Sequence, residues 1–275
     1  MKNIRNEAVA GLFYPENATQ LKKMINNHLA QVELKQKFNG VIGAVVPHAG
    51  YYYSGDCAAY GYRAISTKNF KTAIIVAPSH KFDHFNWSIG DYDYYHSPLG
   101  NMKVDRVLTA KLMSALEADF LEEVHEVEHS LEVQIPFLQY IKPDCEIVPI
   151  ILGRQGAENS VRLAEEIYKL ISKQPEDFVV LISSDLSHYH HVNKAMILDN
   201  LIMKNIENLD IEKISEDYFQ HRLEACGIGG ILMMMHLAKM MNLQVKNLKY
   251  TNSSEVSGEE RQVVGYLSSL FYQSN

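Results

Sequence analysis

The sequence predicts an α/β fold: a single three-layer α/β/α domain over residues 1–275, with a central sheet that is largely parallel or mixed. Three observations predict it. Residues 41–46, 72–77, 146–152 and 178–182 are short runs of branched and small apolar side chains, the signature of strands buried on both faces. Segments with apolar residues at helical spacing separate them, and that alternation wraps a parallel sheet in helices. No internal repeat or low-complexity linker divides the chain, and 275 residues are enough for one sizeable core.

Taken in order, residues 9–15 (Val-Ala-Gly-Leu-Phe-Tyr-Pro) form an apolar, aromatic opening that stops at proline. Leu21, Met24, Ile25, His28, Leu29 and Val32 then share one helical face, which puts His28 at the edge of the core. Pro47 stops the strand at 41–46, and His48 stands where the backbone leaves the sheet. Ser54 is expected to cap a helix through about Ile65. The strand at 72–77 stops at Pro78-Ser79-His80, and the aromatic, turn-rich stretch 83–100 predicts a hairpin or lid over the site. Asp105 caps a helix to about Ala118, and the acid-rich stretch 126–137 leads into an apolar helix that starts near His129 or Ser130.

A strand at 146–152, an amphipathic helix at 160–172 and a strand at 178–182 come next, the last ending in Ser183-Ser184-Asp185-Leu186-Ser187-His188. Helical segments cover 193–208 and continue from Ile211. The methionine-rich helix at 229–241 reads as a plastic buried core element. Two closing strands near 244–250 and 262–271 flank a loop at 253–260.

A formal net charge of -7 with scattered Lys and Arg argues against a nucleic-acid partner. Cys57, Cys145 and Cys226 share no C-x-x-C spacing, so a reducing, cytoplasmic compartment is expected. Residues 1–7 lack the apolar centre of a signal peptide, and the longest apolar run, 227–235, is too short to span a bilayer. No membrane association is expected.

The chemistry gathers at strand ends. Three separate strands deliver His48, His80, and Asp185 with His188 just past their termini, and in a parallel sheet those ends lie on one side, where ligands bind. Two imidazoles with one anionic donor suit iron, zinc or copper, the anion being Asp185, Glu132 or the Cys226 thiolate. His188 is a candidate general base oriented by Asp185. Tyr53 can reach the pocket with its hydroxyl, while His129 and Glu132 share a helical face and can either ligate or support a ligand.

Several motifs carry a resemblance over nearly the whole chain: residues 10–15 (Ala-Gly-Leu-Phe-Tyr-Pro), Pro47-His48-Ala49-Gly50-Tyr51-Tyr52-Tyr53-Ser54-Gly55, Pro78-Ser79-His80, Glu128-His129-Ser130-Leu131-Glu132-Val133-Gln134, 183–189 and Ala225-Cys226-Gly227. In order and spacing these resemble the MEMO family, the AmmeMemoRadiSam system protein B of microbes. The resemblance implies a fold like the class III extradiol dioxygenases, with His48, His80 and Cys226 as metal ligands beside Asp185 and His188. It further implies iron (Fe2+) or copper, with zinc as an adventitious occupant, and redox activity. The implied partners are a small molecule or peptide in the metal pocket, a radical SAM enzyme and an AMMECR-type protein. A thiolate where the dioxygenases have a carboxylate is softer and itself oxidisable, so ordinary catechol cleavage is disfavoured.

Three other readings stay open on sequence grounds. One is a true extradiol dioxygenase with His188 as base. Another is acyl transfer by Cys226, His188 and Asp185 as nucleophile, base and orienter. The last is a binding module without turnover, presenting Trp87, Tyr92, Tyr94 and Tyr95 as an exposed surface.

Overall fold

The computed structural model describes residues 3–274; the expected lack of a leader rests in part on Met1 and Lys2, which lie outside them. In chain order the first half forms β1 (Ile4–Arg5), α1 (Ala18–Ala30), β2 (Val41–Val46), α2 (Tyr51–Ile65), β3 (Thr72–Pro78), β4 (Trp87–Ile89), β5 (Tyr94–Ser97), β6 (Gly100–Lys103), α3 (Arg106–Leu116), α4 (Glu122–Val127), α5 (His129–Glu132) and α6 (Gln134–Ile141). The second half forms β7 (Glu146–Leu152), α7 (Ala157–Ile171), β8 (Phe178–Ser183), β9 (His188–His190), α8 (Val192–Glu207), α9 (Ile211–Phe219), α10 (Ile228–Met240), β10 (Leu243–Asn252), α11 (Ser254–Ser257) and β11 (Val263–Gln273).

The main sheet runs β10-β11-β2-β8-β3-β7-β4, with β9 added against one end of β11. Its centre, β2-β8-β3-β7, is parallel, and the flanking strands β11, β10 and β4 are antiparallel to their neighbours, so the sheet is mixed. Alternate residues of each central strand face opposite layers. Ile74 and Val76 pack with α7 and the methionines of α10, whereas Ala73, Ile75 and Ala77 pack with α1, α2 and α6. Helices therefore cover both faces, and the α/β expectation is borne out.

Register sets up the site. Val46 pairs with Ser183 and Val76 with Ile182, so β2, β8 and β3 end level at one edge, with β8 in the middle. His48, His80 and the loop beginning at Ser184 all leave from that edge.

Several local expectations are corrected. α2 starts at Tyr51 with Gly50 at its cap, and Ser54 lies inside the first turn, where its hydroxyl donates to Ala49 O. The stretch expected as a hairpin or lid divides. β4 extends the main sheet, while β5 and β6 form the hairpin of a separate small sheet with β1. Trp87, Tyr92 and Tyr95 are buried and Tyr94 half-buried, so these rings do not form the expected exposed surface. Two of their polar tips find partners inside: Trp87 Nε1 donates to Leu116 O at 3.2 Å, and Tyr95 OH lies 2.7 Å from His125 Nδ1. The short strands β1 and β9 are additions to the expected set. Among the described residues no helix is long and apolar enough to cross a membrane.

Candidate metal centre

His48 is buried directly below the turn into α2. Its backbone N–H donates to Asp185 Oδ1 at 2.8 Å, which ties the end of β2 to the loop after β8. Its Nδ1 lies 2.8 Å from Ser183 Oγ. That hydroxyl already donates its proton to Ser130 O at 2.7 Å and accepts from Gln134 Nε2 at 2.8 Å. Ser183 must therefore accept from His48, so His48 carries its proton on Nδ1 and keeps a lone pair on Nε2. Burial pushes the His48 imidazole well below the usual histidine range, with His80, His129 and His188 adding to the effect, so the ring is neutral.

His80 is held by Glu128 at two points. Its backbone N–H donates to Oε2 at 2.7 Å and its Nδ1 to Oε1 at 2.9 Å. His129 Nδ1 lies 3.3 Å from the same Oε1, and Ser130 N donates to that oxygen at 2.9 Å. Burial raises the Glu128 carboxyl, but the His80 bond and the backbone donors outweigh it and hold the group at about 2. An ionised carboxylate only accepts, so His80 carries its proton on Nδ1 and keeps a lone pair on Nε2.

The three rings meet. Their centroids are 5.2 Å apart for His48 and His80, 5.6 Å for His48 and His129, and 4.6 Å for His80 and His129. One nitrogen from each lies within 4.8 Å of the others, a spacing that fits a single ion. Phe13, from the segment before α1, packs its ring 4.8 Å from His129. Burial also lowers His129.

Cys226 stands next to this group rather than in it. Its Sγ lies 3.1 Å from His48 Nε2, and because that nitrogen holds a lone pair the thiol is the donor. Asp185 N donates to the sulfur at 3.2 Å, and Cys226 N donates back to Asp185 O at 3.2 Å. Gln155 Nε2 donates to Cys226 O, fixing the loop from the β7 side. Gly227 lets the chain pass this close, since a Cβ there would lie 2.5 Å from Ser183 O. Burial, with Asp185 adding, pushes the Cys226 thiol well above the ordinary range.

Asp185 is buried, and burial raises its carboxyl to about 6 against the opposing N–H donors of His48 and Ala49. His188 donates Nδ1–H to Leu186 O at 2.8 Å, leaving Nε2 as an acceptor. Its backbone is held by β9 against Val264. Among the residues expected in the pocket, Tyr53 is exposed at the start of α2 and packs edge-on against Tyr52 at 5.1 Å. Glu132 is fully engaged away from the histidines. It pairs with Arg5, accepts from Ala8 N and Val9 N, and accepts from the Tyr14 hydroxyl at 2.5 Å. The structure thus brings together His48, His80 and His129 with Cys226 alongside. Glu128, given no role on sequence grounds beyond its place in the motif at 128–134, holds His80 at two points and lies against His129.

The chain matches the model of the family described as Memo-like protein over residues 5–270. The chain belongs to the Memo family. A MEMO1 family protein of Sulfolobus acidocaldarius is 38% identical, covering 98% of this chain and 99% of the relative. One from Methanobrevibacter smithii is 35% identical over the same shares, and one from Methanosarcina barkeri is 37% identical over 96% and 98%. Among solved structures, an uncharacterized protein of Escherichia coli K12 superposes with a TM-score of 0.52 at 12% identity, covering 84% of this chain and 99% of that one. At that identity the likeness is one of fold alone. In this Memo family chain the motif Glu128-His129-Ser130-Leu131-Glu132 divides by role: Glu128 and His129 build the centre, and Glu132 anchors the segment before α1.

Proposed function

We propose that this Memo family chain is a metal-dependent redox protein in which His48, His80 and His129 hold iron or copper and Cys226 supplies sulfur beside the ion. The observation that supports this reading is convergence: one ring nitrogen from each of His48, His80 and His129 lies within 4.8 Å of the others, and Ser183 and Glu128 engage the Nδ1 atoms of His48 and His80, which leaves the Nε2 atoms of those two for an ion. Neutral imidazoles and a soft sulfur suit iron and copper, and zinc fits the same nitrogens as a competing occupant. When bound, a redox-active ion supplies one-electron chemistry and an open coordination position.

The chain's own groups do the rest. Cys226 Sγ lies 3.1 Å from His48 Nε2, so a bound ion would displace the thiol proton from that nitrogen and could take the sulfur as thiolate. Asp185 locks the His48 backbone, and His188 Nε2 is free to take a proton from an incoming ligand. The radical SAM enzyme and AMMECR-type protein implied by the resemblance belong to the same proposal as partners in a modification pathway. Elemental analysis of protein purified anaerobically without chelators, repeated on His48→Ala, His129→Ala and Cys226→Ala, tests the site. About one ion per chain is expected, lost in both histidine variants; an unchanged ion content in those two sinks the proposal.

A further inference from the structure

Cys226 is half-buried, whereas Cys57 and Cys145 are buried, and what reaches it is a separate cleft of about 420 Å³ between the ends of α9 and β8. Its walls are mainly apolar and include Tyr218, Phe219 and Leu223, with Cys226 and His188 on the side of the metal centre. Phe219 is 70% exposed at the rim, a large apolar side chain left in water at the mouth of a cavity. The adjoining Tyr218 ring lies 6.3 Å away at 66°. Among the described residues that line the cleft, Glu224 is the only carboxylate, and none is a lysine or arginine. One Glu224 oxygen accepts from His190 Nε2 at 2.8 Å, and the other has only a long 3.4 Å contact from His188 N. A carboxylate has about four acceptor positions, so this one has capacity for a ligand.

We infer that this cleft binds a small aromatic cation, with its ring against Phe219 and Tyr218 and its charge toward Glu224, which brings the ligand up to Cys226 and His188. An aromatic face and an anionic group both favour a cation, and both disfavour an anion. The volume accommodates one ring and a short charged arm. This inference deepens the metal-centre reading and rests on it for any chemistry after binding; the binding itself needs only the cleft.

The test is a ligand-observed NMR titration of the full chain as purified with benzyltrimethylammonium, which carries charge but no metal-ligating atom. Benzyl alcohol and benzoate serve as the neutral and anionic counterparts. The ammonium is expected to bind at least fivefold more tightly than either. Glu224→Gln is expected to remove that preference, and Phe219→Ser, a change at an exposed position, to weaken ammonium binding at least fivefold. Benzoate binding as tightly as the ammonium, or a preference that survives Glu224→Gln, overturns the inference. Metal content of the same samples separates the two readings: a retained ion without cation preference sinks only the cleft, and a missing ion with the preference intact sinks only the metal centre.

Discussion

Glu128 grips His80 at both ends, accepting its backbone N–H on one oxygen at 2.7 Å and its Nδ1–H on the other at 2.9 Å. The second oxygen also faces His129. Removing this carboxylate therefore disturbs two of the three proposed ligands with one substitution. Glu128→Gln is expected to weaken metal binding by about 10–100-fold, the usual cost of losing a group that orients a ligand. Competition with a chelator of known affinity measures it, and an affinity equal to that of the unsubstituted protein contradicts the role given to Glu128.

Gly227 carries the backbone past β8 with no room for a side chain, because a Cβ would sit 2.5 Å from Ser183 O, a backbone atom that cannot swing away. Gly227→Ala should cost about 1–3 kcal/mol in stability, in the range of overpacked cores. Denaturant unfolding measures this. Because Ser183 also sets the His48 tautomer, metal content should fall in the same variant.

Arg5 and Glu132 form a buried ion pair, with Arg5 also donating to the backbone oxygens of His125 and Glu128. Arg5→Met leaves Glu132 without its cation in the interior. The expected loss is about 3–5 kcal/mol, read as a lower Tm and midpoint of denaturation. A loss under about 1 kcal/mol would show that the Tyr14 hydroxyl and the two backbone donors suffice for Glu132.

His125 gives the pH dependence a sign. Burial, with Arg5 adding, lowers its imidazole to about 3. Above about pH 6.5 both folded and unfolded chains are neutral at this ring, and it contributes no slope. As pH falls below about 6.5 the unfolded chain takes up a proton that the folded one refuses, so stability drops by about 1.4 kcal/mol per pH unit until the folded value is reached. In His125→Gln the slope of stability between about pH 6.5 and 4 should be shallower by about that amount in denaturant titrations. Equal slopes in the two proteins refute this placement of the proton.

How much of the site is legible in the sequence depends on how locally each feature is encoded. His48 and His80 are legible because each comes after a buried apolar run cut by proline, and the parallel sheet then brings their strand ends together. Glu128 is not, because it sits among Glu122, Glu123, Glu126 and Glu132 in a stretch whose acids read alike until the fold buries two of them. His129 can be placed on a helical face but not aimed, since α5 is a single turn whose direction is set by Glu128 capping Ser130 N. Trp87, Tyr92 and Tyr95 read as a surface because turn residues surround them. Their burial depends on β4 joining β7 and on β5 pairing with β1, contacts distant in sequence that local pattern does not encode.

His48, His80 and His129 each bring one ring nitrogen within 4.8 Å of the others, and the proposed centre holds one ion between them. X-ray absorption fine structure of the metal in anaerobically purified protein addresses it most directly. Three imidazole nitrogens bound to the metal are expected, with a sulfur where Cys226 joins them, and one imidazole fewer in His129→Ala. A shell of two imidazoles in both proteins, unchanged by loss of His129, would contradict it.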